Sequence, residues 1–569
     1  MRGLLASCTA MSACMMVFSG FAQAQSFGGS PDLPRVNLAD ATPPSAPAPA
    51  APVDCSKNPD PYKNYQCLDA YLGTDVVDRL MNYYKLEWGK AGPPSDPNAP
   101  AGRIADWPAT PESTPPMPFT EWPYGGATPI GVTRPGSIDS PLMVAIANTG
   151  LGQWMNDNHF QTYGWIDPGV NFSSNSRKPG GNAPIAYAYT PNTPQLDQVV
   201  MYLDRFPDTV QTDHIDWGLR LSAIYGENYR YTTSYGLYSY QLLKHNNING
   251  YDFPMLYGEV FIPFIFQGMT IRVGRYISVP DIEAQLAPNN YLYTHSLTYA
   301  TDNYTNEGII TTTALAKNLF LQLGVTVGTE ATFLHAGEKI NNPDPNELYP
   351  GNKYLRDPGA RPSGTACLRY TWNNGSDNIQ PCANGLNTGV WGYNNLQWYG
   401  FTYYHRFNDK WHLDFEYYNE HQRGVPNNNN PVVQQILSNP SATPFSSAYI
   451  DPPDAPNTAH CKSTTKLTCT ATGSGLVSYL NYSPDPLNNY SFRPEYYMDQ
   501  QGQRFGNPTD YWEVSAGWQH WWSPQLETRP EVGYYRSTDT NAFNGALSKF
   551  IAPDKKYTLF AACDLIFHW

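Results

Sequence analysis

Residues 557–569 read YTLFAACDLIFHW, and their alternation admits two kinds of sheet. Counting back in twos from Trp569 gives Phe567, Leu565, Cys563, Ala561, Leu559 and Tyr557, an apolar face with an aromatic at each end. The other face carries His568, Ile566, Asp564, Ala562, Phe560 and Thr558. A soluble sheet would pack the first face on a core. A lipid-facing strand needs the same alternation over about 10 residues, with rings at both headgroup levels. The strand alone satisfies both readings, so the rest of the chain has to choose.

Composition narrows the choice. Only 15% of the 569 residues are charged while 14% are aromatic, 42 of them Tyr. A mean hydropathy of -0.49, with no long apolar run after the N-terminus, excludes a polytopic helical membrane protein. A formal net charge of -14 argues against nucleic acid as a partner, because a phosphate backbone requires a basic footprint.

The N-terminus gives the compartment. Arg2 precedes an apolar, small-residue run to Phe21, and Ala22-Gln23-Ala24 supplies a small-x-small cleavage site, so residues 1–24 read as a secretory signal peptide. A lipoprotein cut at Cys14 would fall inside the apolar run. Of nine Cys, six form close pairs, Cys55/Cys67, Cys367/Cys382 and Cys461/Cys469, which in an exported chain read as local disulfides. Neither CxxC spacing nor a His set marks a metal site, and no cofactor is expected. Cys563 is left over.

Residues 25–155 read as a periplasmic extension. It begins with a Pro/Ala-rich tether to about Val53 and contains a second Pro-rich stretch, 93–123. Between them, residues 75–88 predict a short helix with Thr74 as N-cap, Val76, Val77, Leu80, Tyr84 and Trp88 on its apolar face, and Gly89 as the stop.

From residue 156 to 569 the period is two. Twelve strands are predicted: 159–173, 198–205, 215–231, 251–265, 269–278, 308–316, 319–330, 396–407, 411–421, 510–522, 526–536 and 557–569. Their connections alternate in length. Short turns at 266–268, 317–318, 408–410 and 523–525, with 206–214 moderately short, alternate with long polar segments at 175–196, 232–250, 279–307, 331–395, 424–509 and 537–556. Short periplasmic turns opposite long outer loops are the mark of a transmembrane antiparallel β-barrel. Twelve crossings also satisfy parity for a chain that starts and ends in the periplasm. A further hairpin in 476–498 would make fourteen. Two disulfides, Cys367/Cys382 and Cys461/Cys469, would then brace the two longest outer loops.

The segment YGEVFIP from Tyr257, then MTIRVGRYISVPDIEAQLAPNNYLYTHSLTYA, then a strand-turn-strand ending LQLGVTVG, resembles the OmpL-like β-barrel porin family. The resemblance runs from about Tyr163 to Trp569. It implies an outer-membrane channel for small hydrophilic solutes and names no solute. By resemblance to outer-membrane proteins generally, the terminal strand with Trp569 would also be read by the barrel assembly machinery.

Residues opposite the apolar faces would line the lumen: Arg220, Glu259, Arg272, Glu330, Asp414, Glu416, Glu513, Glu527, Arg529 and Glu531. They either set a field across a water-filled constriction or pair with one another in a filled interior. Arg275 breaks strict alternation, and a bulge at Gly274 would bring it inward. A loop folding into the barrel would carry Glu283, Asn289 and Tyr293 to the pore. The excess of inward acid suggests mild cation preference.

Two other classes of function compete. An outer-membrane hydrolase has no HExxH or GxSxG to stand on, and His412 with Asp414 is the nearest thing to a dyad. A plugged barrel serving as an adhesin anchor would present Asn-rich loops, Asn427 to Asn430 and the WNNG at Trp372 to Gly375, to carbohydrate. The expected partners are therefore outer-membrane lipid, small hydrophilic solutes and the assembly machinery, and the chain is compatible with a homo-oligomer.

Overall fold

The computed structural model describes residues 54–57, 65–88, 130–131 and 140–569, apart from gaps at 235–236, 244, 278–280, 303–304, 334–359, 374–376, 392–394, 438–457, 486, 524 and 547–550. The signal peptide, the Pro/Ala tether, the 93–123 stretch and Gly89 lie outside the described residues.

Among the described residues, the region before the barrel holds four α-helices rather than one: Tyr65–Leu72, Val76–Glu87, Pro141–Ile146 and Gly150–Asp157. The second starts one residue later than predicted. Its N-cap is Asp75, whose carboxylate accepts from the Val77 and Asp78 amides, in place of Thr74. Cys55 and Cys67 form a disulfide at the approach to it.

Eighteen hydrogen-bonded segments then build one sheet. They are β1 (Phe160–Ser173), β2 (Pro194–Arg205), β3 (Asp216–Gly226), β4 (Gly250–Asp252), β5 (Leu256–Ile262), β6 (Met269–Ile277), β7 (Thr305–Ala316), β8 (Leu319–Thr329) and β9 (Ser363–Trp372). The rest are β10 (Asp377–Leu386), β11 (Gln397–Arg406), β12 (Trp411–Pro426), β13 (Thr468–Asp485), β14 (Asn488–Asp499), β15 (Thr509–Ser523), β16 (Leu526–Thr528), β17 (Glu531–Ser537) and β18 (Tyr557–His568). Because β4 and β5 both pair with β3, and β16 and β17 both lie between β15 and β18, the segments make sixteen staves. The paired staves run antiparallel throughout, and β1 closes the ring against β18, with Trp165 opposite His568. The Trp569 amide and carbonyl each exchange a hydrogen bond with Gly164, at 3.0 and 3.1 Å. Closure leaves no sheet edge, as a spanning sheet requires.

The strand count corrects the twelve or fourteen expected. The segment 331–395 is not one outer loop: it contains β9 and β10, in which Cys367 faces Cys382 across the strand pair. That disulfide therefore joins two staves and faces inward instead of bracing a loop. The segment 424–509 contains β13 and β14, while Cys461–Cys469 sits at the long-loop end of β13. Trp372 and Asn373 of the WNNG sequence consequently lie at the end of β9 away from the long loops, while Asn374 and Gly375 lie outside the described residues. Trp372 there stacks on Tyr370 and Tyr403, with centroids 5.8 and 6.2 Å apart.

Alternation sorts the two faces as read. His412, Asp414, Glu416 and Tyr418 are buried inside, while Trp411 and Tyr417 are exposed outside. Leu559, Leu565, Val532 and Tyr534 likewise form part of the exposed apolar belt.

Candidate functional site

The connection between β6 and β7 turns into the barrel instead of outward. From Ile282 to Thr301 its residues are buried, apart from the partly buried Ala284. It carries a one-turn 3-10 helix, Ala287–Asn289, and a short α-helix, Leu297–Thr301. The inner wall makes room for it with glycines: a Cβ at Gly169, Gly475 or Gly517 would lie 2.2 to 2.6 Å from Tyr293, Thr298 or Leu292.

Wall carboxylates take the loop's amides. Glu416 accepts from Ile282 at 3.0 Å, and Glu531 from Thr294 at 2.7 Å. Glu495 accepts from Leu297 and Thr298 at 2.7 and 2.5 Å, at the N-terminus of the loop helix, where a negative charge is favoured. Wall guanidinium groups take its carbonyls. Arg493 donates to Thr294 at 2.6 Å, Arg529 to Ala287 at 2.6 Å and Asn290 at 3.0 Å, and Arg504 to Thr301 at 2.6 Å. A loop inside a barrel must satisfy its backbone groups within the protein, and these side chains do that.

Arg493 is the hub. It lies 3.0 Å from Glu513, 3.2 Å from Glu283 and 3.5 Å from Glu531, and it contacts the Tyr479 and Tyr535 hydroxyls. Glu283 in turn accepts from Ser296 and Tyr479. Burial and the neighbouring carboxylates of Glu416 and Glu283 push the Asp281 carboxyl of the loop well up, while burial holds the His295 imidazole well below its usual range.

The other expected lining residues also face inward, and most are paired. Arg220 lies 3.1 Å from Asp204, and Arg272 lies 3.7 Å from Glu259, its guanidinium 4.3 Å from the Tyr257 ring centre. Arg529 forms a forked pair with Asp564 and lies 4.0 Å from Asp167. Glu527 accepts from Gln519 at 2.6 Å and lies 3.5 Å from His568, and Asp414 accepts from Asn481 at 3.0 Å. Tyr293 reaches Asp197 at 2.8 Å, and Asn289 closes the 3-10 turn with its amide on Leu286. Glu330 sits at the rim, just past β8, its amide donating to Thr305.

Arg275 does turn inward, though without the expected bulge. The ladders on both sides of β6 run without a register shift through Gly274. Gly274 has φ +135°, a conformation that L residues rarely adopt, and this rotates Arg275 onto Asp252 at 2.8 Å and onto the Phe253 carbonyl at 2.7 Å.

Other candidates separate. His412 bonds to Tyr291 at 2.8 Å and Asp414 to Asn481, so the two form no dyad. The amides of Asn427, Asn429 and Asn430 donate to carbonyls of residues 461–466 and hold that loop together. Sequence reading missed Arg493 and Glu495, on the uncounted β14, Arg504, in the connection beyond it, and Glu420, which lies on the predicted strand 411–421 and continues the inward face of Asp414 and Glu416. The inward glycines were the available signal for a packed loop.

The sequence profile of the OmpL-like β-barrel porins, beta-barrel porin-2, matches residues 159–567. No curated protein sequence matches the chain. Solved structures of similar fold include an anion-selective porin from Comamonas acidovorans, 8% identical, covering 72% of this chain and 99% of that one, with a TM-score of 0.42. The outer-membrane channel DcaP of Acinetobacter baumannii is 7% identical, covers 72% and 97%, and has a TM-score of 0.40. Salmonella typhi OmpF in complex with daunomycin is 9% identical, covers 73% and 99%, and has a TM-score of 0.40. These likenesses concern the barrel fold alone. On the profile match, which spans well over half of its length, the chain belongs to the OmpL-like β-barrel porins of the bacterial outer membrane.

Proposed function

We propose that the protein is a passive diffusion channel for small hydrophilic solutes, selecting by size and charge where the β6–β7 loop narrows the lumen. The observation that carries this reading is the loop itself, held across the barrel interior by Arg493, Arg529, Glu416, Glu495 and Glu531. Oppositely charged groups fixed at a narrowing orient polar solutes. The charges taken to act on a passing solute are Arg220, Glu259, Arg272, Arg275, Glu283, Glu330, Asp414, Glu416, Glu513, Glu527, Arg529 and Glu531, and their excess of acid favours cations. The reading involves no covalent step.

A second reading, a closed barrel serving as an anchor for the outer loops, is favoured by one observation: most of those charges are buried and paired. Planar-bilayer recording with the refolded protein, together with liposome swelling over sugars and dicarboxylates, separates the two. Discrete conductance steps and size-dependent swelling are expected of the channel. A correctly folded barrel that passes neither ions nor sugars would favour the anchor.

A further inference from the structure

Helix Val76–Glu87 leaves a row of large apolar side chains uncovered. Its buried face consists of Arg79, Tyr83 and Glu87, with Arg79 and Glu87 only 2% and 0% exposed. Its exposed side carries Val77, Met81 and Trp88, at 65%, 50% and 60%. A helix facing only water seldom leaves such a row uncovered. The buried Arg79 is well provided for, donating to the Val144 carbonyl from Nε at 3.1 Å and Nη2 at 3.0 Å, and to the Gly73 carbonyl from Nη1 at 2.8 Å. On the same buried side Tyr83 and Leu86 pack with Leu68, Leu72 and Val144, and an apolar stripe flanked by the exposed Asp78 and Lys85 remains outside.

The stripe has helical spacing, and Tyr84 completes it at i, i+4, i+7 and i+11 from Val77. Tyr84 touches the barrel. Its ring centroid is 5.1 Å from that of Phe567, and its hydroxyl donates to the His568 carbonyl at 3.0 Å. Phe567 lies on the outward face of β18, at its periplasmic end, so the helix stripe continues the lipid-facing belt of the barrel. A second helix repeats the arrangement. Leu151 and Trp154 of Gly150–Asp157 are 61% and 54% exposed, and Trp154 stacks on Phe160 at 5.4 Å. Phe160 meets Trp217, an outward residue at the periplasmic end of β3, edge-on at 6.3 Å.

We propose that these two helices rest in the periplasmic leaflet of the outer membrane, beside the β1/β18 closure, with Val77, Met81, Trp88, Leu151 and Trp154 among the lipid headgroups and upper acyl chains. Apolar and aromatic side chains on one helix side, beside rings already at headgroup level, are what an interfacial helix requires. The occupant of the stripe is lipid, because the surface is continuous with the lipid-facing belt. The proposal is independent of whether the lumen conducts.

The test uses the full chain in phospholipid vesicles, in a Cys563→Ala background, with a nitroxide attached at Met81→Cys. Asp213→Cys, in an exposed periplasmic turn, is the aqueous reference, and Leu565→Cys, on the outward face of β18, is the lipid reference. The label at position 81 should respond several-fold more to oxygen than to a water-soluble nickel complex, as at position 565. A label as open to nickel as the one at position 213 overturns the proposal. So does shielding that disappears when the protein is diluted in lipid, since a second copy would then be the occupant. Leu151→Cys reads the second helix independently and guards against a local failure of the first to fold.

Discussion

Arg493 of β14 and Glu283 of the inward loop lie 3.2 Å apart, joining a wall strand to a segment about two hundred residues earlier in the sequence. Both side chains are buried, and Glu513 and Glu531 lean on the same guanidinium. Removing Arg493 leaves three carboxylates without their cation, a change that costs on the order of 3–5 kcal/mol. Arg493→Leu should therefore lower the urea midpoint of the refolded barrel and free the loop. Single-channel conductance should rise and size exclusion relax. An unchanged conductance in a folded variant would remove the loop from the narrowest point of the path.

Acidity should act on the same loop through Asp281. Burial, then the carboxylates of Glu416 and Glu283, raise its pKa, so the docked loop prefers the protonated form. The sign follows: docking is undisturbed below the unfolded carboxyl value of about 3.9 and weakens as pH rises from there toward the raised folded value. Conductance should increase with pH over that window, and Asp281→Asn should flatten the increase while leaving the loop docked. A variant with the parental pH profile would assign the dependence to another group.

The positive φ of Gly274 within β6 predicts a folding defect. A Cβ there would lie 2.3 Å from the Leu256 carbonyl oxygen, in addition to the positive φ. Gly274→Ala should cost at least about 1–3 kcal/mol from backbone conformation alone and reduce the yield of heat-modifiable barrel. It should also loosen the Arg275–Asp252 pair, since the glycine is what aims that side chain. Arg275→Ala offers the comparison: it loses the pair without the strain, so a defect equally large in both variants would assign the effect to the pair.

The parts of the barrel legible from sequence were those whose outward face is large and apolar. β18 and β12 show this with Leu559, Leu565, Trp411 and Tyr417. β9 and β10 do so over only half their length: Leu368, Tyr370 and Ile379 are exposed, but Gly364, Ala366, Pro381 and Ala383 take the remaining outward positions, and the turn reads as an Asn- and Gly-rich surface loop. The two strands persist because β8 and β11 hydrogen-bond to them and a spanning sheet cannot leave an edge. Polar inward faces add no helical or apolar signal, so such a strand resembles a loop. Arg493 is hidden for a different reason: Tyr490 and Phe492 give its strand a large apolar outward face, but residues 476–498 lie inside a long polar segment and read only as an optional hairpin. Glu283 was legible as an inward-loop candidate, whereas its partner could not be named without β14. Arg275 defied alternation because one glycine φ, invisible to a period-two count, rotates it.

The closing strand supplies the last prediction, because its neighbours Cys563 and Asp564 face opposite ways. Asp564 is buried inside and takes a forked pair from Arg529, whose remaining donors hold the Ala287 and Asn290 carbonyls of the inward loop. Cys563 is a partly buried free thiol on the outward face, opposite Val170 of β1. A one-residue slip of β18 would exchange the two, placing a carboxylate toward lipid and taking from Arg529 its forked partner. Asp564→Ala should therefore cost roughly 3–5 kcal/mol, as expected for a buried cation stripped of its anion. Cys563→Ala should cost less than about 1.5 kcal/mol, as a small change on a lipid-exposed face. Urea titration of the two variants in one lipid checks the asymmetry. An apolar maleimide should label Cys563 in the folded protein while a charged thiol reagent fails, and equal effects of the two substitutions would sink this register.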